Sequence, residues 1–442
     1  MKTYDYLIIG NGIAGVTAAE TIREHDASGT IAIVSHEPHV LYSRVLLPAY
    51  LKKRIPREKV FLRTQEDFNI RRIDCYLNEA VVFADTARKQ IDCESGFSLG
   101  YNKLLIASGG RVRDWEHCNG QGIYPVRTPP TLPEVKKADG EYNATISRSR
   151  SARSNGVYRL QTLDDADVIL RLLPHLQSPL VIGASFIGLE FLEILTLNNT
   201  PPKVVVRDTH FLRRLLDRAG GEMLQARFEM KGISVECQQE IVRVFLEEGK
   251  VHIKTSLERD FSSDAVFLGI GIQRNMEFLA GSGVAINGGG VETDEYLRTN
   301  VENVFAAGDA ADYMDVIAKK RRMVGNWTHA FLQGKAVGRT MAGKPELFKS
   351  VPAYSITNFG FQITAVGETD DALETFVQFD EERNRYARFF IKEDHIAGAA
   401  LINKFTDKPH VARLIETQSS VRDFRAELRD PLFDIQKIPI VE

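Results

Sequence analysis

No two cysteines in this chain lie close enough in sequence to form a local redox disulfide or half of a metal cluster. Cys75, Cys93, Cys118 and Cys237 are far apart, with no CxxC or CxxxxC spacing, so neither a metal centre nor a dithiol relay is expected within the chain. It also lacks an apolar run of about eighteen residues, the length a bilayer-spanning helix needs. Its opening residues enter the strand-like YDYLIIG directly, without a charged-then-apolar leader, and the expected compartment is the cytoplasm. Charge of one sign is scarce as well: 56 basic against 59 acidic residues give a net charge of −3. That leaves no global field for nucleic acid or an anionic membrane, so partners must be recognised locally. What remains is ordinary for a globular protein, with 43% hydrophobic and 26% charged residues, and the 442-residue length suggests two or three domains.

Near the start stands DYLIIGNGIAGVTAAETI, an apolar strand, a glycine turn and a helical stretch from about Ile13 to Arg23. Gly10 suits a tight turn, Gly12 lets backbone approach a pyrophosphate, and Gly15 lets helix pack on strand, which leaves the helix N-terminus, with Ile13 and Ala14, to face the anion. A second strand, TIAIVSHE, ends at Glu37, twenty-two residues after Gly15. A carboxylate at that place accepts hydrogen bonds from a ribose diol.

LVIGASFIG repeats the pattern as Gly183, Ser185, Ile187 and Gly188, with Ser185 in place of the middle glycine. The serine narrows the pyrophosphate approach, or donates to a phosphate. The following KVVVRD ends at Asp208, twenty residues after Gly188. An acid there favours the free 2′-hydroxyl of NADH over NADPH, against which stand Arg207, Arg213 and Arg214 nearby. Two cradles imply two dinucleotides, or one dinucleotide and an inherited fold.

Three further stretches follow: YNKLLIASGG at 101–110, DAVFLGIGIQRN at 264–275, and TNVENVFAAGDAAD at 299–312. With both cradles in this order, the chain resembles the FAD-dependent pyridine nucleotide-disulfide oxidoreductases over roughly residues 3–345. The resemblance implies an α/β fold of two Rossmann-like, glutathione-reductase-type domains, one for FAD and one for NAD(P), plus a small α+β C-terminal domain. It places FAD at the first cradle with Val81, and NAD(H) at the second with Gly271. Ala107, Ser108 and Gly109 look like the family's crossing turn, and Gly308-Asp309 like its GD motif beside the ribityl and pyrophosphate region. EPHVLYSRVLLPAYL at 37–51 is most similar to NADH:rubredoxin reductases and NADH-dependent nitrite reductase flavin regions. Arg44 is then a candidate for the FAD phosphates, through two parallel donors, or else one half of a surface ion pair. Trp327 is either near the flavin, at a subunit contact, or a packing residue. Glu190 matches the family glutamate near the nicotinamide, where it positions a lysine or the carboxamide. Lys52 or Lys53 is a candidate for that lysine, with solvated surface lysines as the favoured alternative.

What the family's disulfide reductases need is missing. The place of the single redox cysteine in related members is taken by Val45, which forms neither thiolate nor sulfenic acid. The acid–base His-Pro…Glu pattern is not found either, since His410 follows Pro409 without it. Electrons are therefore expected to leave the flavin directly.

The order of segments suggests an FAD domain at 1–115 and 273–345, an inserted basic Ser/Arg-rich loop at 116–156, an NAD(P)H domain at 157–272 and an interface domain at 346–442. The insertion carries Arg148, Arg150 and Arg153 among serines with few large apolar residues, and reads as a flexible surface loop or as a basic finger for an acidic carrier. The C-terminal part alternates apolar and polar residues as a small antiparallel sheet with one or two helices would. The tail from Ser419 is read as wrapping a neighbour or mobile. The expected function is an FAD-dependent exchange of a hydride with NAD(H) and of single electrons with an iron-sulfur or rubredoxin-like protein, as flavin subunit of a larger complex. Self-association through the interface domain is a further expectation. The alternatives are a free-standing NADH oxidase or diaphorase, and a structural or regulatory flavoprotein.

Overall fold

A computed structural model describes residues 1–113 and 156–441. The basic stretch expected at 116–156 lies outside the described residues, Gly156 excepted, and Cys118 lies outside them too.

The N-terminal unit is built on a seven-stranded sheet. Its order is Ile73–Leu77, Ile31–Ser35, Lys2–Ile9, Ser98–Ile106, Gln90–Cys93 and Val81–Asp85, with Val304–Ala306 added beside Ser98–Ile106. The central pairings are parallel, so the strands are covered on both faces, and all five residues of Ile31–Ser35 are buried. Helix α1 (Ile13–His25) follows the first strand, α2 (Leu47–Leu51) carries a proline in its first turn, and α3 (Gln65–Ile70) is closed by a Thr64–Asp67 capping box.

The second unit repeats the design. Ser234–Glu236, Lys203–Val205, Pro179–Ile182, Ala265–Leu268 and Val157–Tyr158 form a wholly parallel sheet. Around it lie α4 (Leu163–Leu172), opened by a Thr162–Asp165 capping box, α5 (Phe186–Leu197) and α6 (Arg218–Glu229). Chain passes between the two units as an antiparallel pair, Gly110–Val112 against Ile272–Arg274. After its return it forms α7 (Trp327–Met341), packed on α1 so closely that a Cβ at Gly334 would stand 2.6 Å from the Ala14 carbonyl oxygen. Small residues on both helices therefore set their separation.

The C-terminal unit is a five-stranded antiparallel sheet in the order Ala353–Asn358, Phe361–Gly367, His395–Ile402, Arg385–Lys392, Glu374–Asp380, with α8 (Lys408–Thr417) against it. The tail after Ser419 departs from the sequence reading. Val421, Leu428, Ile435 and Ile438 are buried with Val411, Leu414 and Ile415 of α8, and the His410 ring is 3.0 Å from the Ile438 carbonyl. Burial of those four side chains on the chain's own core orders the segment.

Candidate cofactor and electron-transfer site

At the first cradle the glycine positions differ in what surrounds them. A Cβ on Gly10, whose φ is +115°, would lie 2.1 Å from the Ala107 carbonyl oxygen, and one on Gly15 2.1 Å from that of Gly10. Both contacts are backbone, so only glycine fits. At Gly12 a Cβ would meet nothing within 4 Å: the glycine opens space rather than relieving a clash. Gly12 is the N-cap of α1 and supplies no side-chain cap, which leaves the first N–H groups after it free for an anion. Asn11 donates from Nδ2 to the His39 carbonyl, while its buried Oδ1 has no partner among the described residues.

Asp309 sits in a single turn, Gly308–Ala310, and Gly308 donates its N–H to Gln333 of α7. No described side chain donates a hydrogen bond to the Asp309 carboxylate. Burial pushes that carboxyl above its usual range, with Arg274 and Arg44 opposing. An open glycine, uncapped helix amides, an orphaned amide oxygen and an unpartnered acid fit a polyhydroxylated pyrophosphate ligand such as FAD.

Glu37 lies two residues beyond the end of Ile31–Ser35, rather than at its end. It accepts a 2.6 Å hydrogen bond from the Tyr42 hydroxyl and pairs with Arg44, which also donates to the Gln161 carbonyl. Burial alone would raise the Glu37 carboxyl; Arg44 and Tyr42 overcome this and hold it below the usual range. Arg44 is thus a bridge to the second unit, next to the cradle. Val81 opens an edge strand opposite Cys93. Ser108 and Asn275 lock the crossing turn, Ser108 Oγ donating to the Asn275 carbonyl at 2.7 Å and Asn275 Nδ2 donating back at 3.2 Å, with Gly109 at φ +63°. Trp327 lines a cleft with Ile13, Thr17, Leu41, Leu62 and Phe331.

The second cradle repeats the close approach. A Cβ on Gly183 would lie 2.4 Å from the Gly269 carbonyl oxygen, and one on Gly188 2.4 Å from that of Gly183. Ser185 is the N-cap of α5, its Oγ accepting from the Gly188 N–H at 3.2 Å. The serine therefore already serves the helix start, a role its place before an apolar helical run could have shown. Ile187 is in the first turn of α5, and Gly271 has φ +92° where the chain crosses back. The strand before Asp208 ends at Val205. Asp208 is 42% exposed and 3.8 Å from Arg213, which also reaches Asp371 at 3.3 Å. Arg207 and Arg214 are exposed.

Between the units lies a cluster that the sequence reading only half found. Lys52, 3% exposed, is not a solvated surface lysine: its ammonium is 2.5 Å from Glu190 Oε2 and also pairs with Glu193, both acids of α5 being 10% exposed. Burial and the neighbouring Glu193 push the Glu190 carboxyl up, with Lys52 opposing. Lys53, by contrast, turns to φ +56° with its side chain exposed. Two acids in the otherwise apolar LEFLEIL were the available signal for Glu193. Lys52, 138 residues away from Glu190, was a candidate beside Lys53, with a solvated surface lysine as the favoured alternative. Cys75 and Cys93 are unbridged, and burial pushes each thiol up to about 12.

Two dinucleotide cradles in parallel-sheet units, joined at a crossing turn and capped by an antiparallel unit, define a two-nucleotide flavoprotein. The pyridine nucleotide-disulphide oxidoreductase model matches residues 4–334, and the rubredoxin NAD+ reductase C-terminal domain residues 352–419. The chain belongs to the pyridine nucleotide-disulphide oxidoreductase family, whose cofactors are FAD and NAD(P)H. It is similar to apoptosis-inducing factor 3 of Mus musculus, 27% identical over 425 residues, covering 96% of this chain and 64% of that one. Likewise it is 27% identical over 430 residues to the NADH-dependent phenylglyoxylate dehydrogenase subunit epsilon of Aromatoleum evansii, covering 95% and 93%. The chain spans between 52% and 64% of the length of the first curated relatives it matches. The ferredoxin reductase for the CYP199A2 system from Rhodopseudomonas palustris shares the fold, with a TM-score of 0.82 at 22% identity over 98% and 99% of the two chains.

Two outcomes follow from the geometry. Gly12→Ala, at φ −79° with open space around it, is expected to leave the melting temperature of the FAD-free protein unchanged and to weaken FAD retention, measured as flavin per chain after dialysis. Lys52→Met removes the partner of the buried Glu190 carboxylate, leaves Glu193 with Arg54 at 3.8 Å as its cation, and should cost about 3–5 kcal/mol at about pH 7 in urea unfolding. Burial already raises the Glu190 carboxyl and the variant lacks the cation that opposes this; an acid whose folded pKa is raised contributes stability that is lost as pH rises, so part of that deficit should return when the measurement is repeated at about pH 5.

Proposed function

We propose that the chain is a flavoprotein reductase. It takes a hydride from NADH held at the second cradle and passes electrons singly to an iron-sulfur or rubredoxin-like carrier. The observation that carries this is the pairing of a two-nucleotide architecture with the lack, among the described residues, of a thiol whose pKa is lowered: burial raises Cys75, Cys93 and Cys237 alike. Val45 occupies the redox-cysteine position and is exposed, and burial holds the Cys75 and Cys93 thiols protonated.

FAD, when bound, couples a two-electron donor to a one-electron acceptor. The chain's residues supply the rest of the chemistry. The α1 amides and Gly12 would hold the pyrophosphate, Glu37 and Asp309 would accept from sugar hydroxyls, and Arg44 would balance Glu37 and the phosphates. Gly183, Ser185, Ile187, Gly188 and Gly271 shape the second cradle, where Asp208 accepts from the adenosine ribose and selects NADH. Glu190 holds the Lys52 ammonium fixed between the first and second units. The C-terminal unit, matching the rubredoxin NAD+ reductase C-terminal domain, takes part in carrier docking or in contact between copies. Service within a larger complex is supported by the likeness to the phenylglyoxylate dehydrogenase epsilon subunit. No helix among the described residues is long and apolar enough to cross a membrane. The cytoplasm is the proposed compartment, supported by unbridged Cys75, Cys93 and Cys237.

Anaerobic titration of the FAD-loaded protein with NADH and, separately, with NADPH tests this reading. Stoichiometric bleaching of the flavin is expected with NADH, and with NADPH only at much higher concentration. Asp208→Ala should narrow the preference. Equal response to both nucleotides would remove Asp208 from its role, and no bleaching by either would overturn the reading. Fast turnover with oxygen alone would favour an oxidase, the name carried by a relative in Methanocaldococcus jannaschii.

A further inference from the structure

At the second cradle the strand Lys203–Val205 ends against the glycine turn: the Gly183 N–H donates to the Val205 carbonyl at 2.9 Å, and Val205 pairs in parallel register with Ile182. Asp208 stands three residues further on, and the loop it opens runs to Asp217, the N-cap of α6. Within this loop Leu212 has φ +53°, although its side chain is buried with Phe211, Leu215 and Leu216. A bulky residue keeps that conformation only where packing holds it, so the next residue, Arg213, leaves from a fixed backbone. Its Nε lies 3.8 Å from Asp208 Oδ1. A free guanidinium at that place would suit the 2′-phosphate of NADPH, which takes two parallel donors.

Arg213 is not free, because the C-terminal unit closes on the same loop. The Tyr386 hydroxyl donates to Asp217 Oδ1 at 3.0 Å and accepts from the Asp217 N–H at 3.1 Å. Asp371, between Phe361–Gly367 and Glu374–Asp380, accepts from Arg213 Nη1 at 3.3 Å. Asp371 is in turn held from behind. Arg388, in the strand Arg385–Lys392, has a side chain only 10% exposed; its Nη2 is 3.5 Å from Asp371 Oδ1, and it forms no other ion pair among the described residues. A nearly buried cation needs a carboxylate, so one Asp371 oxygen is committed to Arg388 while the other faces Arg213. Ion pairs as exposed as those of Arg213 add little stability. What this one fixes is where the guanidinium points.

We propose that Asp371 is a positioning residue for nucleotide choice: it draws the Arg213 guanidinium onto the C-terminal unit, withholding the cation that a 2′-phosphate requires and leaving Asp208 to the free ribose diol of NADH. This deepens the flavoprotein reductase reading given above and rests on it. Asp371 acts through Arg213 alone.

The test is equilibrium dialysis of the FAD-loaded full-length protein against NAD+ and against NADP+, with thermal unfolding alongside. In the parent protein NADP+ is expected to bind the more weakly. Asp371→Asn keeps an oxygen for Arg388 but removes the charge that holds Arg213; NADP+ should then bind about three- to tenfold more tightly, and NAD+ as before. In the Arg213→Ala background Asp371→Asn should change neither constant. If Asp371→Asn leaves the ratio of the two constants at its parent value, or if the tightening persists without Arg213, the proposal is overturned while a parent preference for NAD+ leaves the reading of Asp208 standing. A parent protein that binds neither nucleotide, or binds NADP+ no more weakly than NAD+, overturns both. Should Asp371→Asn fail to fold, Arg213→Ala alone decides: unchanged NADP+ binding supports a withheld guanidinium, and weakened NADP+ binding overturns it.

Discussion

A buried ammonium is tolerated only where carboxylates meet it with good geometry, and Lys52 meets that condition with acids from another unit. This one constraint ties the three units together. α2 of the first unit must be pressed against α5 of the second, and the hairpin tip of the third must close on Glu193. The units that carry the two nucleotide cradles are thereby clamped together in addition to the paired chain crossings that join them.

Around that junction the chain uses one backbone solution twice. Gly10 lies against Ala107 and Gly183 against Gly269, each at positive φ, and each pair brings the strand-to-helix turn onto the end of a neighbouring parallel strand. The copies differ at the middle residue. Gly12 leaves the α1 amides open, whereas Ser185 closes one amide of α5 itself. The first cradle thus presents the more open anion site, suited to a cofactor that stays bound. The second, partly satisfied by its own side chain, suits a nucleotide that must come and go.

Much of the fold was legible because its signals are local. Glycine spacing, an apolar strand before and a helix after are enough to place both cradles, and alternation in SITNFGFQITAVGE marks the antiparallel hairpin. The site was legible in part. Glu190 could be named, but its partner Lys52 could not be told from Lys53, since adjacent residues in a short helix end are separated only by which one meets α5. Glu193 and Phe359 escaped for the same reason: their meaning lies in contacts across 165 and 166 residues of chain. The tail after Ser419 looked irregular because single-turn helices have no lasting period, though Leu428, Ile435 and Ile438 keep spacings that one buried face requires. Asn275 was overlooked because its work is to lock the crossing turn, not to touch a ligand.

In the proposed reaction, electrons leave this protein without a thiol. The direct test is rapid anaerobic mixing of NADH-reduced protein, with all four cysteines replaced by alanine, against a one-electron iron-sulfur carrier. Reoxidation of the flavin with two carrier molecules reduced per NADH, at the rate of the unsubstituted protein, is the predicted result. A flavin that NADH still reduces but that no longer passes electrons to the carrier would contradict it.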